Sequence, residues 1–168
     1  MKRIGLAFVV LVLGVLGGVS YNLLTQRSSV PQLLTTVANC QLEQATCQAS
    51  DSLKHQVEVT LSPKPVPVME TVQLQTKLSN FTDVTSIKVT ITGVNMFMGY
   101  QYADLKPQNG QWQGTFTLPI CTTQHMQWLA QVDIQTASSV FRADFPFNTY
   151  SSQPARPLAT WLQENAKP

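Results

Sequence analysis

Residues Trp128–Phe147 read WLAQVDIQTASSVFRADFPF. Trp128, Ala130, Val132 and Ile134 fall on alternate positions, with Asp133 facing away. Phe141, Ala143, Phe145 and Phe147 repeat the pattern around Arg142 and Asp144. A period of two places successive side chains on opposite faces of a strand, so each run has one apolar and one polar face. That is the pattern of an antiparallel sheet with one side wet.

The same period occupies the preceding residues. Val57, Val59 and Leu61 alternate with Glu58 and Thr60, starting from His55. Pro63, Pro65 and Pro67 then break the run, as an exposed edge or loop does. Val72, Leu74 and Leu78 alternate with Gln73, Gln75 and Lys77; Ile87, Val89 and Ile91 alternate with Lys88 and Thr90. Pro107-Gln108-Asn109-Gly110 is a turn signal leading into a strand from Gln111 to Leu118. About seven short strands at regular spacing predict an all-β, immunoglobulin-like antiparallel β-sandwich over residues 55–150. The Cys-Trp-Cys signature of antibody domains is missing.

Residues 1–24, MKRIGLAFVVLVLGVLGGVSYNLL, predict one N-terminal transmembrane helix. Lys2 and Arg3 precede a stretch of about 20 apolar residues, enough to cross a bilayer core of roughly 30 Å. Basic residues before the span stay in the cytoplasm, which sends the rest of the chain outside. The competing reading is a signal peptide cut after Ser20; no Ala-x-Ala motif supports it. Cys40 lies too far from the apolar run for a lipoprotein. Export follows on either reading. The expected location is the bacterial inner membrane, single-pass, with the C-terminal domain in the periplasm.

Residues 25–54 carry one proline and no sustained period, and are expected to be a linker. Cys40 and Cys47 enclose CQLEQATC within it. Outside the cytoplasm such a pair is expected as a disulfide. Metal ligation by the pair has neither a nearby histidine nor a zinc spacing behind it. Cys121 is left over as a reactive thiol, a metal ligand, an intermolecular partner or a small buried apolar residue. Residues 151–168 form a C-terminal tail in which PLATWLQEN admits one or two helical turns carrying Trp161, or disorder.

Several functions lack a footprint. The net charge of +2 shows no basic patch, so no nucleic-acid partner is expected. Two histidines, no Gly-x-Ser-x-Gly elbow, no phosphate loop and no distinctive carboxylate pair argue against an enzyme. The unusual residues are sulfurs. Met96 and Met98 sit in GVNMFMG and, if extended, share a face. Met126 follows His125, with Cys121 four residues before the histidine. Thioether, thiolate and imidazole form a soft ligand set that favours Cu(I). Methionine also fills irregular cores, and a single histidine is commonly a hydrogen-bonded structural residue.

The run from Gly93 to Val132 resembles the YtkA-like group of small envelope domains. It is closer still to uncharacterised membrane-anchored envelope proteins that accompany SCO-type copper chaperones of cytochrome oxidase. The matching pieces are Met96, Met98 and Gly99; Gly110 and Trp112; Leu118, Pro119 and Cys121; and Met126 and Trp128. The resemblance covers about a quarter of the chain. It implies an immunoglobulin-like sandwich and a link to copper or to oxidase assembly, with a copper chaperone or oxidase subunit as partner. The function expected is binding or delivery of Cu(I) as cofactor or cargo, with Met96, Met98, His125, Met126 and Cys121 as metal ligands. The alternative is a non-metal structural or interaction module of an envelope membrane complex.

Overall fold

The computed structural model describes residues 30–121 and 123–150; the expected membrane helix and the C-terminal tail lie outside them. The described residues form ten strands: β1 Gln32–Leu33, β2 Thr35–Thr36, β3 Cys47–Ser50, β4 Gln56–Ser62, β5 Thr71–Ser79, β6 Val84–Gly93, β7 Tyr100–Gln108, β8 Gln111–Thr117, β9 His125–Thr136 and β10 Val140–Tyr150. Their order is β1-β10-β9-β6-β7-β8-β5-β4-β3-β2. All neighbours are antiparallel except β1 and β10.

The sheet has two halves joined at β7. Residues 100–105 of that strand pair with β6, and Lys106–Gln108 pair with β8. On the far side the N-terminal strands link the same halves. Gln32 and Leu33 lie beside Phe141 and Arg142 of β10, while Thr35 and Thr36 pair with Ser50 and Ala49 of β3. The Thr36 hydroxyl donates to the Asp144 carbonyl at 2.5 Å across that junction. The connections from β5 to β6 and from β8 to β9 each lead from one half to the other.

The apolar alternation becomes one core. Ile87, Val89, Ile91, Ala130, Val132, Ile134, Ala143 and Phe145 from one half are buried with Val57, Val59, Leu61, Val72 and Leu74 from the other. Opposed positions complement each other in size. Gly93 stands opposite Trp128, and Phe147 on the other side of Trp128 stacks on the indole with centroids 6.4 Å apart. The indole N–H is buried and donates to the Thr149 hydroxyl at 2.9 Å, as a buried donor requires. On the outer face Arg142 grips Asp133 with two N–H groups, at 2.6 and 2.8 Å. Donation to the Asp133 carboxylate lifts the guanidinium pKa above its ordinary value, against the pull of burial.

Three expectations need correction. The stretch read as a linker, 25–54, is part of the fold from Gln32 onward: Leu34, Leu42, Cys47 and Ala49 enter the core. Strands of two to four residues are too short for a legible period. Second, β7 was not expected, because exposed Tyr100 and Tyr102 and the late Lys106 and Pro107 mask the inward pair Ala103 and Leu105. Third, Met96 and Met98 do not lie on a strand; the chain bends between β6 and β7. The Asn109-Gly110 turn is as expected. It joins β7 to β8 with positive φ at both residues, 52° and 76°, as a tight two-residue hairpin demands. The Cys40–Cys47 disulfide is formed, with Cα atoms 5.7 Å apart.

Candidate functional site

The β4–β5, β6–β7 and β8–β9 loops and the end of β10 meet at one end of the fold. The β6–β7 loop is shaped by two short side chains. Asn95 acts as a surrogate strand: its amide donates to the His125 carbonyl at 3.0 Å and its oxygen accepts from the Gln127 N–H at 3.0 Å. Gly93 lets the loop fold back closely. A Cβ there would overlap the Met96 carbonyl oxygen and stand 3.1 Å from Met126 Cε.

The fold brings sulfurs from separate loops together. Cys121 Sγ lies 3.4 Å from Met96 Sδ and 3.1 Å from the Thr123 hydroxyl. Met96 is exposed and Cys121 half-buried, so the pair is open to solvent. Met126 is buried and shares a cavity of about 10 Å³ with Cys121, Thr123, Val68, Pro119 and Thr149. That volume is about the size of one small atom or water. Met98, in the same loop as Met96, is half-buried against the core. The thioethers and the thiol are soft donors, a chemistry suited to a monovalent copper ion. Among the described residues, no group of three or more His, Cys, Asp or Glu side chains is placed to hold a metal; any site here rests on methionine.

His125 has other neighbours. It adjoins Met126 on β9, so the pleat sends the two side chains to opposite faces. Met126 points inward and His125 outward. The imidazole stacks flat on Tyr150, with centroids 4.8 Å apart and planes 6° from parallel. Its Nε2 lies 3.0 Å from Asn148 Oδ1, and Asn148 Nδ2 donates to Glu43 Oε1 at 2.9 Å. Because the Asn148 amide nitrogen is directed to Glu43, its oxygen must accept, so His125 carries a proton on Nε2. Nδ1 is therefore the nitrogen left for another partner.

Glu43 was missed by sequence reasoning. It lies inside the disulfide loop, next to buried Leu42, and is itself buried. Its second oxygen, Oε2, has no hydrogen-bond partner among the described residues. The available clue was an acidic residue beside an apolar one in a short cysteine-bounded ring. Glu43 also lines a groove of about 580 Å³ with Val66, Val68, Ile120 and Tyr150.

Comparison with protein-family models, with curated proteins and with solved structures finds no match to this chain.

Proposed function

We propose that this protein is a membrane-tethered envelope domain of immunoglobulin-like form that binds Cu(I) for delivery during oxidase assembly. The observation that carries the reading is the 3.4 Å approach of Cys121 Sγ to Met96 Sδ from two different loops. Met126 lines the same small cavity as Cys121, and Met98 lies two residues from Met96. In this reading Cys121 and Met96 hold the ion, Met126 closes the inner side and Met98 adjusts access. His125 would join only through Nδ1, the nitrogen that Asn148 leaves available. The thiol would release its proton on binding, so affinity would rise with pH. Partial exposure of the pair supports transfer, since a cargo ion must be able to leave.

The test is competition between the reduced full chain, in detergent, and a chromophoric Cu(I) chelator. One equivalent is expected to bind. Cys121→Ser combined with Met96→Leu is expected to weaken binding more than about a hundredfold, or about 2.8 kcal/mol. An affinity unchanged in that double variant rules the assignment out.

A second reading, an interaction module, draws on a different observation. Phe97, Tyr100 and Tyr102 are exposed and touch ring to ring, with centroids 5.3 and 6.3 Å apart. Exposed aromatic groups of this kind mark protein contact surfaces. The chelator experiment separates the two readings, because an interaction module predicts no competition at all.

A further inference from the structure

The groove beside the sulfurs has chemistry of its own. Its floor carries Glu43, which is 8% exposed, and its rim carries Glu70. Among the described residues, no lysine or arginine lines it. The remaining side-chain walls are mainly apolar: Val66, Val68, Ile120 and the flanking prolines. One oxygen of Glu43 is bound by Asn148, and the other is buried without a partner among the described residues. A buried acceptor left unmade is costly, and a charged donor is its strongest complement.

We propose that this groove binds a small organic cation, a guanidinium or primary ammonium group on an apolar stem. The cationic head would donate to Glu43 Oε2 once a small rotation of the carboxylate turns that buried oxygen toward the groove, while the stem would lie along Val66, Val68 and Ile120. Glu70 at the rim suits a second positive end. A hard metal ion is a poorer match, because it needs six or more oxygen ligands and the apolar walls offer few. The volume of about 580 Å³ lies within the range of small-molecule sites. Glu43 is held in place by two devices: the disulfide that closes its loop, and the Asn148 amide, itself braced by His125. The proposal is independent of copper, since none of the Cys121–Met96 pair is needed.

The probe is agmatine, which carries a guanidinium at one end and an ammonium at the other. It is titrated into the full chain in neutral detergent with a metal chelator present. The expected result is one saturable site, with a shift of the Asn148 side-chain amide resonances. Glu43→Gln keeps the Asn148 contact and replaces the unpartnered oxygen by a donor; it should weaken binding about 10- to 100-fold. Ile120→Trp, at a half-exposed position that tolerates bulk, narrows the groove and should weaken binding in a chain of unchanged melting temperature. No saturable binding overturns the proposal, and so does equal affinity in Glu43→Gln. Since the chelator removes metal, failure here leaves the copper reading standing, and failure of the copper titration leaves this one standing.

Discussion

The two histidines occupy opposite ends of the fold and live in contrasting surroundings. His55 sits beyond β3, where its ring packs between Phe81 and Phe141 with centroids 5.0 and 4.8 Å away. Its Nδ1 meets Asp51 Oδ2 at 2.7 Å, and Asp51 Oδ1 accepts from the backbone N–H groups of Leu53 and His55, both at 2.9 Å. Both oxygens of Asp51 and the Nδ1 of His55 are thus partnered. His125 starts β9 about nine residues along the hairpin from Phe141's partner Ile134, roughly 30 Å away at 3.4 Å per residue. It is exposed, stacked on an exposed tyrosine and linked through Asn148 to a carboxyl with an unmet oxygen. The first end closes the turn that feeds β4. The second end leaves soft sulfurs, an acidic groove and aromatic rings facing outward. The contrast shows that the same residue type is structural or available according to what its ring nitrogens already hold.

The largest expected effect tests how the open end is built. Replacing Cys40 and Cys47 together by Ser releases an eight-residue ring, which the chain-entropy treatment values at about 2.5 kcal/mol. Denaturant unfolding should show that loss at the open end's expense. Agmatine binding should fall in step, because Glu43 rides on the released loop. Loss of stability with groove binding intact would mean that Asn148 alone positions the carboxyl.

A smaller effect separates the histidines directly. His55→Ala removes contact with two aromatic rings and leaves the half-buried Asp51 without its ring partner; about 2 kcal/mol of stability should go. His125→Ala removes a solvent-facing ring and should change stability by less than about 0.5 kcal/mol, as surface substitutions do. Its effect should instead appear in agmatine affinity, through a less firmly held Asn148. Equal losses of stability in the two variants would erase the distinction between the ends.

Much of this architecture was legible in the sequence, and the failures have specific physical causes. Except at β7, alternation from Val57 to Phe147 identified the inward faces because each long strand buries one face, and Asn109-Gly110 marked its hairpin because both residues tolerate positive φ. The Cys40–Cys47 bridge followed from spacing and the expectation of export. The N-terminal strands escaped notice because two residues cannot display a period, and their place is fixed only by the distant edges of β3 and β10. For the site, Cys121 and Met96 were legible as soft donors but not as neighbours; that depends on Gly93 and Asn95 folding one loop over another. His125 and Met126 were grouped as ligands of one ion, although adjacent residues on β9 face opposite ways. Glu43 was illegible because burial of an acid depends on a partner, Asn148, that lies 105 residues away.

The smallest expected effect is a pH dependence confined to the closed end. Burial alone would raise the Asp51 pKa, but the hydrogen bonds and charge of His55, with help from the Leu53 N–H, outweigh it and hold the carboxyl below its ordinary value of 3.8. A carboxyl depressed by folding adds stability that is fully present above its unfolded value and is lost as pH falls through its folded one. Asp51→Asn keeps an oxygen for the backbone N–H groups while removing the charge, so it should cost about 1 kcal/mol near neutrality. The gap between wild type and variant should close below about pH 5 as acid protonates the carboxyl, because a protonated Asp51 and an asparagine are nearly equivalent partners for His55. Agmatine affinity, read in the same samples at neutral pH, should not distinguish the two proteins, since Glu43 and Asp51 belong to different ends. A gap that persists unchanged at pH 3 would show that the Asp51 charge contributes nothing, and that the turn before β4 is held by backbone geometry and the aromatic rings around His55.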